Sequence, residues 1–131
     1  MIEKEKLILI SQKIEKAKTF LNEINNNIAF GYYETSVNRI YYACFYCVQA
    51  LLVNIDLYPK SHKGVLVGFN LHYVKEGKFS LELARFYQEI FEHRLLADYS
   101  DAFDIRKEDV LFLFDKARIF FDKTELLLKK P

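Results

Sequence analysis

Four glycines and two prolines in 131 residues leave this chain little with which to turn. A sheet of many short strands needs those residues at its hairpins, so an all-β fold is excluded early. What remains between the few breaks is apolar periodicity. Leu7, Ile10, Ile14, Ala17, Leu21 and Ile24 recur at three and four residues, the spacing of one helical face. Apolar residues make up 51% and aromatics 16% of the chain, enough to build a core rather than a disordered coil. At this length one domain over residues 1–131 is expected.

Five helical segments follow from the same periodicity. The first spans about residues 3–25 and ends at Asn25-Asn26-Asn27, a turn signal because asparagine tolerates left-handed backbone. The second spans about 29–53. Val37, Ile40, Tyr41, Cys44, Phe45, Val48, Leu51 and Leu52 form its stripe, and Tyr42, Ala43 and Tyr46 widen it. A helix apolar nearly all round lies at the centre of a bundle or against a second subunit. A third, shorter helix starts at an N-cap Ser61, turns Val65, Leu66, Phe69 and Tyr73 inward and stops at Gly77. The fourth covers about 80–99 and the fifth runs from just after Asp104 to about 129. Short connections favour antiparallel neighbours, so the expected fold is all-α: an up-and-down bundle of four long helices plus one shorter helix.

Composition narrows function less. A formal net charge of +1 supplies no global field for nucleic acid, so any such binding needs a local patch. No apolar run approaches membrane-spanning length and the N-terminus is charged, which gives the expectation of a cytoplasmic protein off the membrane. Cys44 and Cys47 are spaced as C-x-x-C but fall mid-helix, not at the N-terminus where a redox thiol is activated, so two reduced, packed cysteines are expected. Three scattered histidines without carboxylate spacing predict no metal site, and no phosphate-loop motif or cofactor signature is present.

Two polar insertions interrupt the apolar helices. One is Ser36-x-x-Arg39-x-Tyr41-Tyr42-Ala43 and the other is Arg94-x-x-Ala97-Asp98-Tyr99. An arginine on an apolar segment is costly unless something pairs with it, so the two are expected to meet each other, a ligand or a partner. On the second helix Ser36, Arg39, Ala43 and Tyr46 share one strip, with Tyr42 beside it. On the fourth, Arg94 and Asp98 are neighbours at i and i+4. His62 and Lys63 open the third helix beside Lys60, where they serve as surface residues of a capping turn or as a phosphate contact.

Taken with Ser61-His62-Lys63-Gly64-Val65, these two insertions resemble the signature of small stand-alone HEPN-domain proteins, and the resemblance covers about residues 5–128. It implies a four- or five-helix bundle that is usually a homodimer. It also implies kinship to proteins encoded beside minimal nucleotidyltransferases, often as toxin–antitoxin or defence pairs. Many such proteins are metal-independent ribonucleases that use an arginine and, four to six residues on, a histidine. Arg94 matches that arginine. The position five later is Tyr99, and no histidine follows Arg94. Tyrosine titrates near ~10 and is a poor base at neutral pH.

Three functions follow. The first is a nucleotide- or RNA-binding regulatory module working with a nucleotidyltransferase, with Ser36, Arg39, Tyr42, His62, Lys63 and Arg94 as ligand-binding residues. The second is a ribonuclease whose altered site uses Arg94, Asp98 and Tyr99. The third is a purely structural oligomerisation domain, in which the arginines serve assembly alone.

Overall fold

The computed structural model describes residues 2–97 and 104–129, without the side chains of residues 95–97. Its helices are α1 Glu3–Ala29, α2 Tyr33–Asn54, α3 His62–Phe69, α4 Leu81–Ala97 and α5 Lys107–Leu128. No strand occurs among the described residues. Four long helices and one short one form the antiparallel bundle. No helix in it is long and apolar enough to cross a membrane.

α2 is the axis, in contact with α1, α3, α4 and α5. Thirteen of its 22 residues are buried, among them Ile40, Tyr41, Cys47, Val48, Leu51 and Leu52. The wide apolar stripe of this helix is therefore consumed by the chain's own core. Cys44 and Cys47 lie in that core as free thiols. Burial pushes both thiols up, Cys47 to about 12, the opposite of redox activation.

The first turn differs from the sequence expectation. α1 continues through Asn25, Asn26 and Asn27 to Ala29, and the break falls at Gly31, whose φ of 75° suits glycine. Three asparagines cost a helix at most about 2 kcal/mol together. Carrying the stripe one more turn buries Ile28, which contributes about 1.5–3 kcal/mol by itself. Burial wins, and α2 accordingly begins at Tyr33 rather than near Ala29.

α3 is capped as its sequence predicts. The Gly64 amide donates to Ser61 Oγ at 2.9 Å. A Cβ on Gly64 would stand 2.8 Å from that oxygen, so a larger residue would push the Ser61 hydroxyl off its capping position. The helix widens into a π-helical turn over Asn70–Val74, and the Tyr73 hydroxyl donates to the Leu51 carbonyl at 2.5 Å. α4 starts on a similar cap, with Leu83 N donating to Ser80 Oγ at 3.1 Å. Its buried face runs Leu83, Phe86, Tyr87, Ile90, Phe91 and then meets the half-buried Arg94 in its last turn. Lys116 of α5 and Glu82 pair across α4 and α5.

Candidate functional site: an arginine–tyrosine–histidine groove

The site grows from Tyr41 and Tyr42, consecutive residues on α2. Adjacent helical positions point about 100° apart, so one ring enters the core and the other only half does. Tyr41 is 1% exposed and stacks on Tyr87 of α4 at 6.1 Å with planes 9° apart. Tyr42 stands edge-on to it at 5.3 Å. The capped start of α3 lays His62 against them, 4.4 Å from the Phe45 ring, with Nδ1 2.7 Å from the Tyr41 hydroxyl. Arg94 then closes the group from α4, its guanidinium 5.8 Å from the Tyr41 ring centre and 6.0 Å from that of Tyr42. A cation over an aromatic face is stabilised by the ring quadrupole, by about 0.5–1 kcal/mol or more when desolvated.

Proton positions follow from this packing. Burial holds the Tyr41 phenol well above its usual value, so it is a donor at neutral pH. Burial and, second, the Arg94 charge hold His62 below its usual value, so it is neutral. The hydroxyl therefore donates to Nδ1, which places the remaining imidazole proton on Nε2. A neutral imidazole, a guanidinium and a half-buried phenol thus share one neighbourhood.

Beside them lies an open groove of about 140 Å³, lined by Glu34, Val37, Asn38, Tyr41, Tyr42, Ile90, His93 and Arg94. That is smaller than the about 300–1,000 Å³ of sites that enclose a whole small molecule. It suits one group of a ligand, with the rest outside. His93 Nε2 and Glu34 Oε1 meet across it at 3.0 Å.

The residues singled out by sequence divide. Tyr42, His62 and Arg94 come together from three helices. Ser36 does not join them: it is fully buried, and its hydroxyl donates to the Tyr32 carbonyl at 2.7 Å, tying the first turn of α2. Arg39 faces α1, with Nε 3.1 Å from Glu23 Oε2 and its guanidinium over Phe20 at 5.1 Å. The two arginines are thus served by different partners, with Phe20 and Tyr42 in edge contact between them at 6.4 Å. Lys63 is exposed on the outer side of α3. Asp98 and Tyr99 lie outside the described residues. Among the described residues no cluster of His, Cys, Asp or Glu could hold a metal ion.

From sequence Tyr41 reads as a core residue, His93 is set aside because it is adjacent to Arg94 and faces another way, and Glu34 and Asn38 are not singled out. Tyr41 left a trace, being a hydroxyl-bearing ring inside an apolar stripe. Glu34 and His93 are 59 residues apart and left none.

Comparison with known proteins fits this arrangement. A family model described as the HEPN domain matches residues 10–127. A UPF0332 protein of Thermotoga maritima is 39% identical over 129 residues, covering 98% of this chain and 96% of that protein. A protein of Methanocaldococcus jannaschii named as a candidate toxin is 37% identical over 119 residues, covering 91% of this chain and 81% of its own length. A second candidate toxin of that organism is 33% identical over 98 residues, covering 75% and 72%. With a family match across nearly the whole bundle and relatives aligned over most of their length, the chain belongs to the HEPN-domain family.

Proposed function

We propose that the groove holds a phosphate of a nucleotide or of an RNA end. In this reading the chain is the binding and regulatory module of a toxin-type two-component system, working as a homodimer with a minimal nucleotidyltransferase. The observation that carries it is Arg94, held over Tyr41 and Tyr42 beside His62. A guanidinium presents a planar fork matched to phosphate oxygens. Tyr42 adds a hydroxyl and a ring face, and the neutral His62 stands beside Arg94 outside the groove's lining. The candidate-toxin names of two relatives support the toxin-type half of the reading.

Titration of purified protein with AMP, ATP and a 5′-phosphorylated RNA, followed by calorimetry and thermal shift, tests the binding. Nucleotide should bind and raise Tm, and Arg94→Ala should remove the shift. Binding that survives this substitution sinks the reading. Co-purification with the product of a neighbouring nucleotidyltransferase gene tests the partnership.

One observation favours a second reading, a metal-independent ribonuclease using Arg94, Asp98 and Tyr99. His62 approaches Arg94 from α3 and is held neutral, so it offers an acid/base group where Tyr99 replaces the family's histidine. That reading requires cleavage of single-stranded RNA in EDTA, abolished by Arg94→Ala and by His62→Gln.

A further inference from the structure

Beyond the groove, the face shared by α1 and α2 carries a second set of cations and rings. Lys13 and Lys16 lie one turn apart on α1, and both ammonium groups stand over the Tyr46 ring, at 5.5 and 5.1 Å. Phe20, one turn further on, stacks on Tyr46 at 5.7 Å with planes 29° apart. It also meets Tyr42 edge-on at 6.4 Å, and Tyr42 is the ring beneath Arg94. A continuous row therefore leads from Arg94 through Tyr42, Phe20 and Tyr46 to Lys13 and Lys16. All three rings are half-buried, so part of each is open to solvent.

The charge on this row is not compensated at its far end. Among the described residues neither Lys13 nor Lys16 is ion-paired, and the neighbouring Glu15 is taken by Lys18 at 3.8 Å. Burial and the Lys16 charge hold the Lys13 ammonium below its usual value. Past Lys13 a second groove, of about 210 Å³, is lined in part by Lys13, Lys60, Tyr58 and Gln49. Gln49 Oε1 is buried there and accepts no hydrogen bond. A ligand that brings anionic groups would compensate the two lysines.

We infer that this row, from Arg94 to Lys13 and Lys60, is a track for a single-stranded RNA several nucleotides long. Phosphates lie on the lysines and bases lie against the solvent-facing parts of Tyr42 and Tyr46, with Phe20, already covered by Arg39, as the packing between them. Cations interleaved with aromatic rings are how sequence-tolerant single-strand channels work. An acidic peptide would use the lysines and leave the rings idle. The inference rests on the reading of the Arg94 groove as a phosphate site, which fixes one end of the strand.

The test is fluorescence anisotropy with a labelled oligo-uridine of about twelve nucleotides, made uncleavable by 2′-O-methylation. UMP binding is measured alongside by thermal shift, and circular dichroism checks that variants are folded. The oligomer should bind at least about tenfold more tightly than UMP, an advantage of about 1.4 kcal/mol. Lys13→Ala with Lys16→Ala should remove that advantage and leave UMP binding unchanged. The double variant should also reduce the salt slope by about 1.4, two phosphate contacts at about 0.7 each. Tyr46→Leu should weaken the oligomer without changing the slope. An oligomer that binds no better than UMP, or binds independently of both lysines, overturns the track while the Arg94 groove stands. Oligomer binding that needs the lysines in a protein that ignores UMP overturns the groove reading and, with it, the Arg94 end of the track. Lysine substitutions that change the sedimenting mass but not RNA affinity make the row an interface between copies and overturn the track. Protein that binds neither probe overturns both.

Discussion

Two aromatic clusters meet back to back at the Tyr41–Tyr87 stack and share almost the same residue types. On one side Phe69 and Phe120 stand 5.3 and 5.7 Å from Tyr87, Phe79 packs on those two rings at 5.0 and 4.9 Å, Phe86 meets Phe120, and every ring is buried. On the other side Tyr42, Phe45 and His62 surround Tyr41, and Arg94 lies over the top. The first cluster is dry and holds α3, α4 and α5 together. The second is half open and carries a cation, a donor network and a groove. Aromatic content does not separate core from site. What separates them is whether a polar or charged group from another helix reaches the rings, as His62 and Arg94 reach Tyr41.

The sharpest break between the clusters should come from truncation. Phe120→Ala removes a fully buried ring shared by four others, and chemical denaturation should show a loss of about 3–5 kcal/mol. Nucleotide affinity per folded molecule should not change. Arg94→Ala should do the reverse. It removes a half-exposed cation, so stability should fall by less than about 1 kcal/mol, while nucleotide affinity measured by calorimetry drops at least tenfold, about 1.4 kcal/mol. Equal losses of stability and binding in both variants would erase the distinction drawn between the clusters.

Tyr41→Phe keeps the stack and deletes the hydroxyl that fixes His62. A cost of about 0.5–1.5 kcal/mol is expected by denaturant titration. Phe79→Leu, in the dry cluster, alters a ring whose aromatic neighbours among the described residues are Phe69, Tyr73 and Phe120, and should leave nucleotide affinity intact. The next effect is a pH dependence. Burial and, second, the Arg94 charge hold folded His62 below the ordinary imidazole pKa of about 6.5, so protonation favours the unfolded state. Its contribution is fully present above that value and is lost as pH falls below it. Wild type should lose Tm faster than His62→Gln between neutral pH and mildly acidic pH. An NMR titration should place His62 below 6.5 and find it raised in Arg94→Ala. The smallest effect belongs to Arg39→Ala. Its pair with Glu23 is half exposed, and such pairs contribute about 0.2–1 kcal/mol. Nucleotide binding should not notice the change. A large binding loss there would return Arg39 to the site.

The helices were largely legible before any coordinates, because each depends on its own neighbours in sequence. Ser61 and the stripes of α2 and α5 announce themselves by residue type and spacing. The end of α1 was not legible, since the local preference of three asparagines pointed one way and the burial of Ile28 the other. Only packing shows how much that burial weighs. The site was half legible. Tyr42, His62 and Arg94 stood out as polar interruptions of apolar runs. Ser36 and Arg39 stood out equally, but a buried hydroxyl bonded to its own helix and a cation turned toward α1 look the same in sequence as ligand contacts.

The sequence by itself determined that the chain is helical, where most helices start and stop, and which face of each turns inward. Period and capping are short-range properties, and a linear string records them. Tertiary structure alone decided that Tyr41 reaches His62 across 21 positions and that Glu34 reaches His93 across 59. It also decided that two arginines of similar appearance receive different neighbours. Such meetings depend on how rigid helices of fixed length cross, and the rotation of one helix against another is set by the sum of its packing rather than by any residue along it.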